Sequence, residues 1–353
     1  MSLDAWGWVP TRVEKEPRRR VRNAVTRAAV LLLVLVIALG TAQPATAGEH
    51  YALVITGASG GDAYAQKYDK WRLSFVTTLR EKFGYPDDHV TVLADTDAAG
   101  PRAGTPVLKA TRENVQLALA DLRKRLTKDD QLLVLLIGHG TSLDGDDAKF
   151  NLVGPDLSAS EWADLLKPIQ GRIVFVDTTG GSFPFLRRLA GRGRVVLTAT
   201  DSAVQQFETV FAEFFVKACD DPAADADKNG RVSVWEAFGY ASAGVRQWFD
   251  QHGHLPTARA LIDDTGEGIG REAQNPGTDG ASARVTYLEP AAAPAATGDT
   301  ALAALLKRKA DLEAQIEALK ARKESMPSDQ YDAELERLLL DLARVVQQIR
   351  TKS

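Results

Sequence analysis

Short apolar runs alternate with amphipathic stretches along residues 51–199, and this pattern predicts the core of the protein. A run that is apolar throughout is typical of a strand buried on both faces, as in a parallel sheet covered by helices. The intervening stretches repeat their apolar residues every three or four positions, which predicts helices. The predicted strands are Tyr51–Ile55, Val90–Leu93, Leu132–Ile137, Ile173–Val176 and Val195–Leu197; the predicted helices are Ala65–Phe83, Asn114–Leu126 (N-cap Thr111) and Trp162–Leu166. This alternation predicts an α/β domain over residues 48–272 with a mainly parallel sheet.

The character of the sequence changes after residue 272. Residues 273–298 are rich in Ala, Pro, Gly and Thr, a composition typical of a linker. Within 299–353, two sets of apolar residues recur every three, four or seven positions on either side of Ser325–Ser328. This spacing predicts an antiparallel helical hairpin with a coiled-coil seam. Each arm spans about three heptads, so the hairpin is expected to pack on its own domain or on a second copy. The pattern is compatible with a self-contained spacer and with an oligomerisation module.

The first 47 residues have the three parts of a secretory signal peptide. Several arginines between Arg18 and Arg27 precede an apolar run from Ala28 to Leu39, and Ala45–Ala47 has the small-residue form of a cleavage site. The apolar run is shorter than the roughly 20 residues of a spanning helix. An uncleaved N-terminal anchor is the alternative, and only that alternative implies contact with a membrane. Either way, an exported protein is expected.

Composition narrows the classes of function. Lys and Arg number 43 and Asp and Glu number 47, so the formal net charge is -4 and no basic field favours nucleic acid. Cys219 is the single cysteine, which excludes an internal disulfide and a Cys-rich zinc site. The balance of charge and apolar content predicts a mildly acidic globular protein.

The most specific motif lies at residues 225–236 and has the spacing of an EF-hand calcium loop. Calcium binds six to eight hard oxygen ligands, and a glycine at loop position six permits the sharp turn between them. Gly230 occupies that position, and segments predicted to be helical, Phe207–Cys219 and Val234–Trp248, flank the loop. The predicted ligands of one calcium ion are Asp225, Asp227, Asn229, the main-chain carbonyl of Arg231, Ser233 and Glu236.

A second set of candidate residues follows two predicted strands. His139 ends the strand Leu132–Ile137 within Gly138-His139-Gly140, and Asp177-Thr178-Thr179-Gly180-Gly181-Ser182 ends the strand Ile173–Val176. Ligands of parallel α/β sheets bind outside the carboxyl ends of the strands, so these groups are expected to converge. Their order and spacing, with Thr111-x-x-Asn114 upstream, resemble the caspase–legumain clan of cysteine peptidases, especially the legumain-like asparaginyl endopeptidases. The resemblance covers about residues 50 to 270 and implies a three-layer caspase-like domain.

The resemblance implies that His139 is the catalytic histidine, while Thr179 stands where the family has its nucleophilic cysteine, next to the acidic Asp177. An alcohol is a far weaker acid than a thiol and needs a well-oriented base to become a nucleophile. Cys219 lies near the end of a predicted helix and is expected to be a buried core residue. We therefore predict an inactive or impaired peptidase homologue that binds calcium and a peptide or protein partner.

Two alternatives remain open at the level of sequence. The first is an active hydrolase with His139 as base and Thr179, Thr178 or Ser182 as nucleophile, although Pro184 breaks the Gly-x-Ser-x-Gly elbow of serine hydrolases. The second is a calcium-stabilised assembly module of the cell envelope that self-associates through its hairpin. The acidic segment Asp263–Gly268 is interpreted as a turn, because it lacks a terminal bidentate carboxylate.

Overall fold

A computed structural model describes residues 48–95, 106–142, 147–253, 258–291, 300–321, 323 and 326–352. The predicted signal peptide or anchor, residues 1–47, lies outside the described residues. The strands are β1 His50–Thr56, β2 Val90–Ala94, β3 Val107–Lys109, β4 Gln131–Ile137, β5 Gly140–Thr141, β6 Lys149–Phe150, β7 Leu157–Ser158, β8 Arg172–Asp177, β9 Arg194–Thr198 and β10 Leu261–Asp263. The helices are α1 Asp62–Thr77, α2 Arg112–Arg125, α3 Ala159–Leu166, α4 Phe183–Leu189, α5 Phe211–Ala218, α6 Val234–Gln251, α7 Ala281–Arg284, α8 Thr300–Ala321 and α9 Ser328–Lys352. A π-helical turn, Thr78–Lys82, continues α1.

The central sheet has the strand order β10-β9-β8-β4-β1-β2-β3. The pairs from β9 through β3 are parallel, and β10 alone joins antiparallel to β9. The α/β class with a mainly parallel sheet is therefore confirmed. A small antiparallel sheet formed by β5, β6 and β7 follows β4.

Alternate residues of each central strand enter two different cores, which explains why the strands are apolar throughout. Val54 contributes to the core formed with α1, α5 and α6, whereas Leu53 contributes to the core formed with α2, α3 and α4. Both side chains are fully buried. Helices thus cover both faces of the sheet. Thr111 is the N-cap of α2, as the sequence predicts, and accepts a hydrogen bond from the amide of Asn114 at 3.3 Å.

Residues 273–291 differ from the predicted linker because they pack on the domain. The Thr286 carbonyl accepts from the amide of Val234 at 2.8 Å, and the Leu288 carbonyl accepts from the Tyr85 hydroxyl at 2.7 Å. Thr286 and Leu288 are both buried. Composition indicated a linker, but these contacts involve residues distant along the chain and have no local sequence pattern.

The two C-terminal helices, α8 and α9, pack on each other through an apolar cluster. Its buried members are Leu312, Ile316, Leu319, Tyr331, Leu338 and Val345. The last turn of α8 also lies near the loop 225–236, because the Lys320 ammonium nitrogen is 3.7 Å from a carboxylate oxygen of Asp227. Among the described residues, no helix is both long enough and apolar enough to span a membrane.

Candidate functional site at the carboxyl end of the sheet

His139 follows β4 and is held by the segment that follows β1. Its Nε2 atom lies 3.1 Å from the main-chain oxygen of Ser59 and 3.3 Å from the hydroxyl oxygen of Tyr68. A carbonyl oxygen can only accept a hydrogen bond, so Nε2 is the donor in the contact with Ser59 and carries a proton. The Tyr64 ring packs edge-on against the imidazole, with ring centroids 4.8 Å apart.

Two groups fix this arrangement. The Asp95 carboxylate accepts hydrogen bonds from the amide and the hydroxyl of Ser59, at 2.9 and 2.8 Å. Burial, together with the neighbouring Glu208 carboxylate, raises the pKa of Tyr68, so its hydroxyl stays protonated. The Ser59 carbonyl and the Tyr68 hydroxyl therefore fix the orientation of the imidazole through its Nε2 atom. Sequence reasoning missed these groups, because they reach His139 from other segments of the chain and follow no local motif.

Thr179 is turned inward, towards Asp177. Its hydroxyl donates a hydrogen bond to Asp177 Oδ1 at 2.7 Å, and its amide donates to the same oxygen at 2.9 Å. The residue is 1 % exposed. Within the described part of the chain, no hydrogen bond joins Thr179 to His139. The structure brings the two predicted catalytic residues to neighbouring strand ends but does not couple them.

Asp177 is fully buried at the end of β8. Burial raises the pKa of its carboxyl group to about 6, although the two hydrogen bonds from Thr179 act in the opposite direction. Its second oxygen, Oδ2, has no hydrogen-bond partner among the described residues. The carboxyl group thus holds Thr179 in place, and among the described residues it forms no hydrogen bond with His139.

Residues 201–209, here called the covering loop, lie across the turn that carries Thr179. The carbonyl of Gln205 accepts from the amide of Gly181 at 2.5 Å, and the Thr209 hydroxyl donates to the Thr178 carbonyl at 2.5 Å. Glu208 forms an ion pair with Lys67 of α1. These contacts explain why Thr179 is shielded from solvent.

Two large apolar side chains of the covering loop point away from the protein. Phe207 is 85 % exposed and Val204 is 80 % exposed. The exposure of Phe207 agrees with the contacts of its two polar neighbours: Gln206 donates to the Ser142 carbonyl, and Glu208 pairs with Lys67. The loop therefore presents an exposed aromatic and an exposed aliphatic side chain.

The other candidate nucleophiles are also occupied. The Thr178 hydroxyl donates to the Leu136 carbonyl at 2.7 Å. The Ser182 hydroxyl oxygen is buried and accepts from the amides of Ala199 and Thr200, at 3.1 and 3.2 Å. Cys219 is buried, as expected, and burial raises the pKa of its thiol to about 12.

The loop 225–236 brings three of its predicted ligands together. Carboxylate oxygens of Asp225, Asp227 and Glu236 lie within 4.8 Å of one another. Ser233 is the N-cap of α6 and forms a capping box with Glu236, which holds the last carboxylate of the motif at the start of the helix. The predicted acidic ligands thus converge because the loop and the first turn of α6 are folded as one unit.

Backbone amides of the loop point inward at the same carboxylates. Asp225 accepts from the amides of Asn229 and Gly230, at 3.1 and 2.8 Å. The carboxylate of Glu236 accepts from the amides of Ala226 and Asp227, at 3.0 and 3.2 Å. Gly230 has a φ of 88°, a conformation that favours glycine.

The remaining predicted ligands lie on the same loop. Asn229 Oδ1 accepts from the amide of Arg231 at 2.9 Å, and the Ser233 hydroxyl donates to Glu236 at 2.8 Å. The Arg231 guanidinium stacks over the Tyr287 ring at 4.0 Å. Carboxylate, amide, carbonyl and hydroxyl oxygens are the hard donors that calcium prefers, so the donor set fits that ion.

The second acidic segment is a structural turn. The Asp263 carboxylate accepts from the amides of Gly266 and Gly268, both at 2.7 Å. Asp279, which accepts from the amide of Asp264 at 2.9 Å, has its pKa raised to about 6 by burial. These carboxylates satisfy main-chain amides, which agrees with the interpretation of this segment as a turn.

No protein family and no curated protein matches this chain in sequence. In structure, the chain is similar to a structural-genomics crystal structure of a Geobacter sulfurreducens protein, with a TM-score of 0.38 and 15% identity over 61% of this chain and 92% of that one. That likeness is too distant to establish a shared function.

Proposed function

We propose that this chain is an exported, non-catalytic homologue of the caspase–legumain peptidases that binds a peptide or protein segment beside His139. The observation that carries the proposal is the inward hydrogen bond from the Thr179 hydroxyl to the buried Asp177 carboxylate. A nucleophilic alcohol must instead face the substrate, with a base placed to take its proton during attack. Thr179 is 1 % exposed, and its hydroxyl donates to the buried Asp177 and not to His139, the predicted base.

Exposed aromatic and apolar side chains support the proposed binding surface. Tyr64 is 38 % exposed and packs against the imidazole, while Phe207 and Val204 are exposed on the covering loop. Glu208 of that loop pairs with Lys67, whose ammonium nitrogen lies 5.5 Å from the centre of the Tyr64 ring. Aromatic side chains dominate the energetics of most protein interfaces because they bury much apolar area at a low cost in side-chain entropy. The adjacent Lys67 and Glu208 neutralise each other. The proposed ligand is accordingly a segment with apolar side chains and no requirement for strong charge.

A diverse displayed peptide library tests both parts of this proposal on the mature chain, residues 48–353, in the presence of calcium. We expect enrichment of apolar peptides without cleavage, and we expect Phe207→Ala to weaken their binding about tenfold, the order of a hot-spot side chain. Leu117→Ala is the matched control, since Leu117 is also exposed but lies on α2. Cleavage that His139→Ala abolishes would establish the alternative, an active hydrolase, and refute the proposal.

We also propose that the loop 225–236 binds one calcium ion. Convergence of three carboxylates and the capping box that holds Glu236 at Ser233 support this proposal. Calorimetry on the mature chain is the test, with Asp225→Ala as the variant that should abolish the heat of binding. Asp250→Asn, at the far end of α6, should leave it unchanged. Absence of heat with the unaltered chain would refute the proposal.

A role in assembly through an antiparallel hairpin formed by α8 and α9 is the second candidate function. The specific observation is the half-exposed pair Leu339 and Leu340 on α9, outside the cluster that joins the two helices. Light scattering tests this role by comparing the molecular mass in solution of chains with and without residues 299–353. A monomeric full chain would argue against it.

A further inference from the structure

The C-terminal helices place a positive charge at the proposed calcium loop. Lys320, in the last turn of α8, has its ammonium nitrogen 3.7 Å from Asp227 Oδ2. The same carboxylate oxygen accepts from the Asn229 side-chain amide at 3.1 Å. Both ionic side chains are partly exposed, at 43 % for Lys320 and 37 % for Asp227. Lys320, which is far from the loop along the chain, therefore contacts the Asp227 carboxylate that the motif predicts to be a calcium ligand.

A second group of contacts connects the loop with the segment leading towards α8. The Asn229 side-chain amide also donates to the Tyr287 hydroxyl at 3.2 Å, and Ser233 pairs with Tyr287 as an antiparallel bridge. The Arg231 guanidinium stacks on the Tyr287 ring, and its Nε atom lies 3.9 Å from a carboxylate oxygen of Glu289. Arg231 also interacts electrostatically with Glu313 of α8. The loop is thus attached to the C-terminal segment through several of its residues.

We propose that Lys320 sets the calcium affinity of the loop 225–236 as an intramolecular counter-charge to Asp227, and that calcium binding in turn loosens α8 from the loop. This inference rests on the proposed calcium binding. An ion coordinated by Asp227 would carry two positive charges within a few ångströms of the ammonium group, and like charges at that separation repel. Thermodynamic coupling is reciprocal. If the contact between Lys320 and Asp227 lowers the affinity for calcium, bound calcium must weaken that contact to the same extent.

The expected effect of removing this charge follows from Coulomb's law. A monovalent and a divalent cation roughly 5 Å apart in a medium close to water repel enough to change affinity about tenfold, and salt reduces this effect. We therefore expect Lys320→Gln to tighten calcium binding about three- to tenfold at low salt, and by less at high salt. A charge about 20 Å away would have a much smaller effect, because the Coulomb energy falls with distance and, at about 0.1 M salt, charges beyond a Debye length of about 10 Å are screened.

The test is calcium titration of the mature chain by calorimetry at two salt concentrations. Lys307→Gln is the matched control, because Lys307 is an exposed lysine on α8 about 20 Å from Lys320 along the helix axis. Hydrogen–deuterium exchange of residues 313–321 provides the reciprocal measurement. We expect calcium to speed this exchange in the unaltered chain, and Lys320→Gln to show fast exchange with and without calcium.

The outcomes separate this inference from the proposal beneath it. Equal calcium affinity in the unaltered chain and in Lys320→Gln would overturn the inference while calcium binding stands. Unchanged exchange of α8 on calcium addition would likewise overturn the reciprocal coupling. Absence of calcium binding in every variant would overturn both.

Discussion

The buried carboxyl group of Asp177, which holds Thr179, gives a quantitative prediction about stability. The pKa of Asp177 rises from 3.8 to about 6 on burial. The folded protein therefore holds a proton between these values that the unfolded chain has already released. Its free energy of unfolding must fall as pH rises through this interval, and the full penalty is present above about pH 6. A shift of about two pKa units corresponds to about 3 kcal/mol.

The perturbation that isolates this effect is Asp177→Asn. The amide oxygen of asparagine can still accept both hydrogen bonds from Thr179, while the new NH2 group takes the place of Oδ2, which has no partner among the described residues. Burying that NH2 group without a partner costs about 1–3 kcal/mol, but this cost does not depend on pH. The diagnostic quantity is therefore the pH dependence of stability, and not its value at one pH.

Urea unfolding in EDTA, followed from about pH 4 to about pH 7, measures this quantity without a contribution from bound cations. We expect the unaltered chain to lose about 3 kcal/mol relative to Asp177→Asn over this interval. Asp129→Asn is the control, since the Asp129 carboxylate is 65% exposed and its loss should leave the pH dependence as it is. A constant stability difference between the unaltered chain and Asp177→Asn would refute the assignment of a raised pKa to Asp177.

Three further predictions concern the site and its supports. Gly140→Ala should destabilise the protein by at least about 2 kcal/mol in urea unfolding, because an added Cβ would overlap the Gly180 carbonyl oxygen and the Thr179 hydroxyl. Gly61→Ala, which meets no atom within 4 Å, should have far less effect, and equal losses would contradict the steric argument. Ser158→Ala should cost about 1 kcal/mol by removing the capping box with Glu161, whereas Ser160→Ala in the same first turn should cost less. The Cys219 thiol, with its pKa raised to about 12, should react with a disulfide reagent only as fast as the protein opens, and rapid labelling of the native chain at about pH 8 would contradict its burial.

The parts of the structure that sequence predicted well are those encoded locally. Each β-strand from β1 to β9 in the central sheet, apart from the short β3, appears as an apolar run, because a parallel strand covered on both sides must be apolar on both sides. The predicted capping contact of Thr111 likewise depends on residues only three positions apart. The spacing of Asp225, Asp227 and Glu236 predicts their convergence for the same reason, since a short loop that leads into a helix has few ways to fold.

Contacts between distant segments were decided only in three dimensions. The resemblance to the peptidases predicts Thr179 at the nucleophile position, but the direction of its hydroxyl depends on the buried Asp177 and on the covering loop, residues 201–209. Composition indicated a linker where Thr286 and Leu288 are buried. The contact between Lys320 and Asp227 joins two motifs that appear independent along the chain. Periodicity and spacing record which face of an element is buried, whereas the orientation of a polar side chain depends on partners brought together by the tertiary fold.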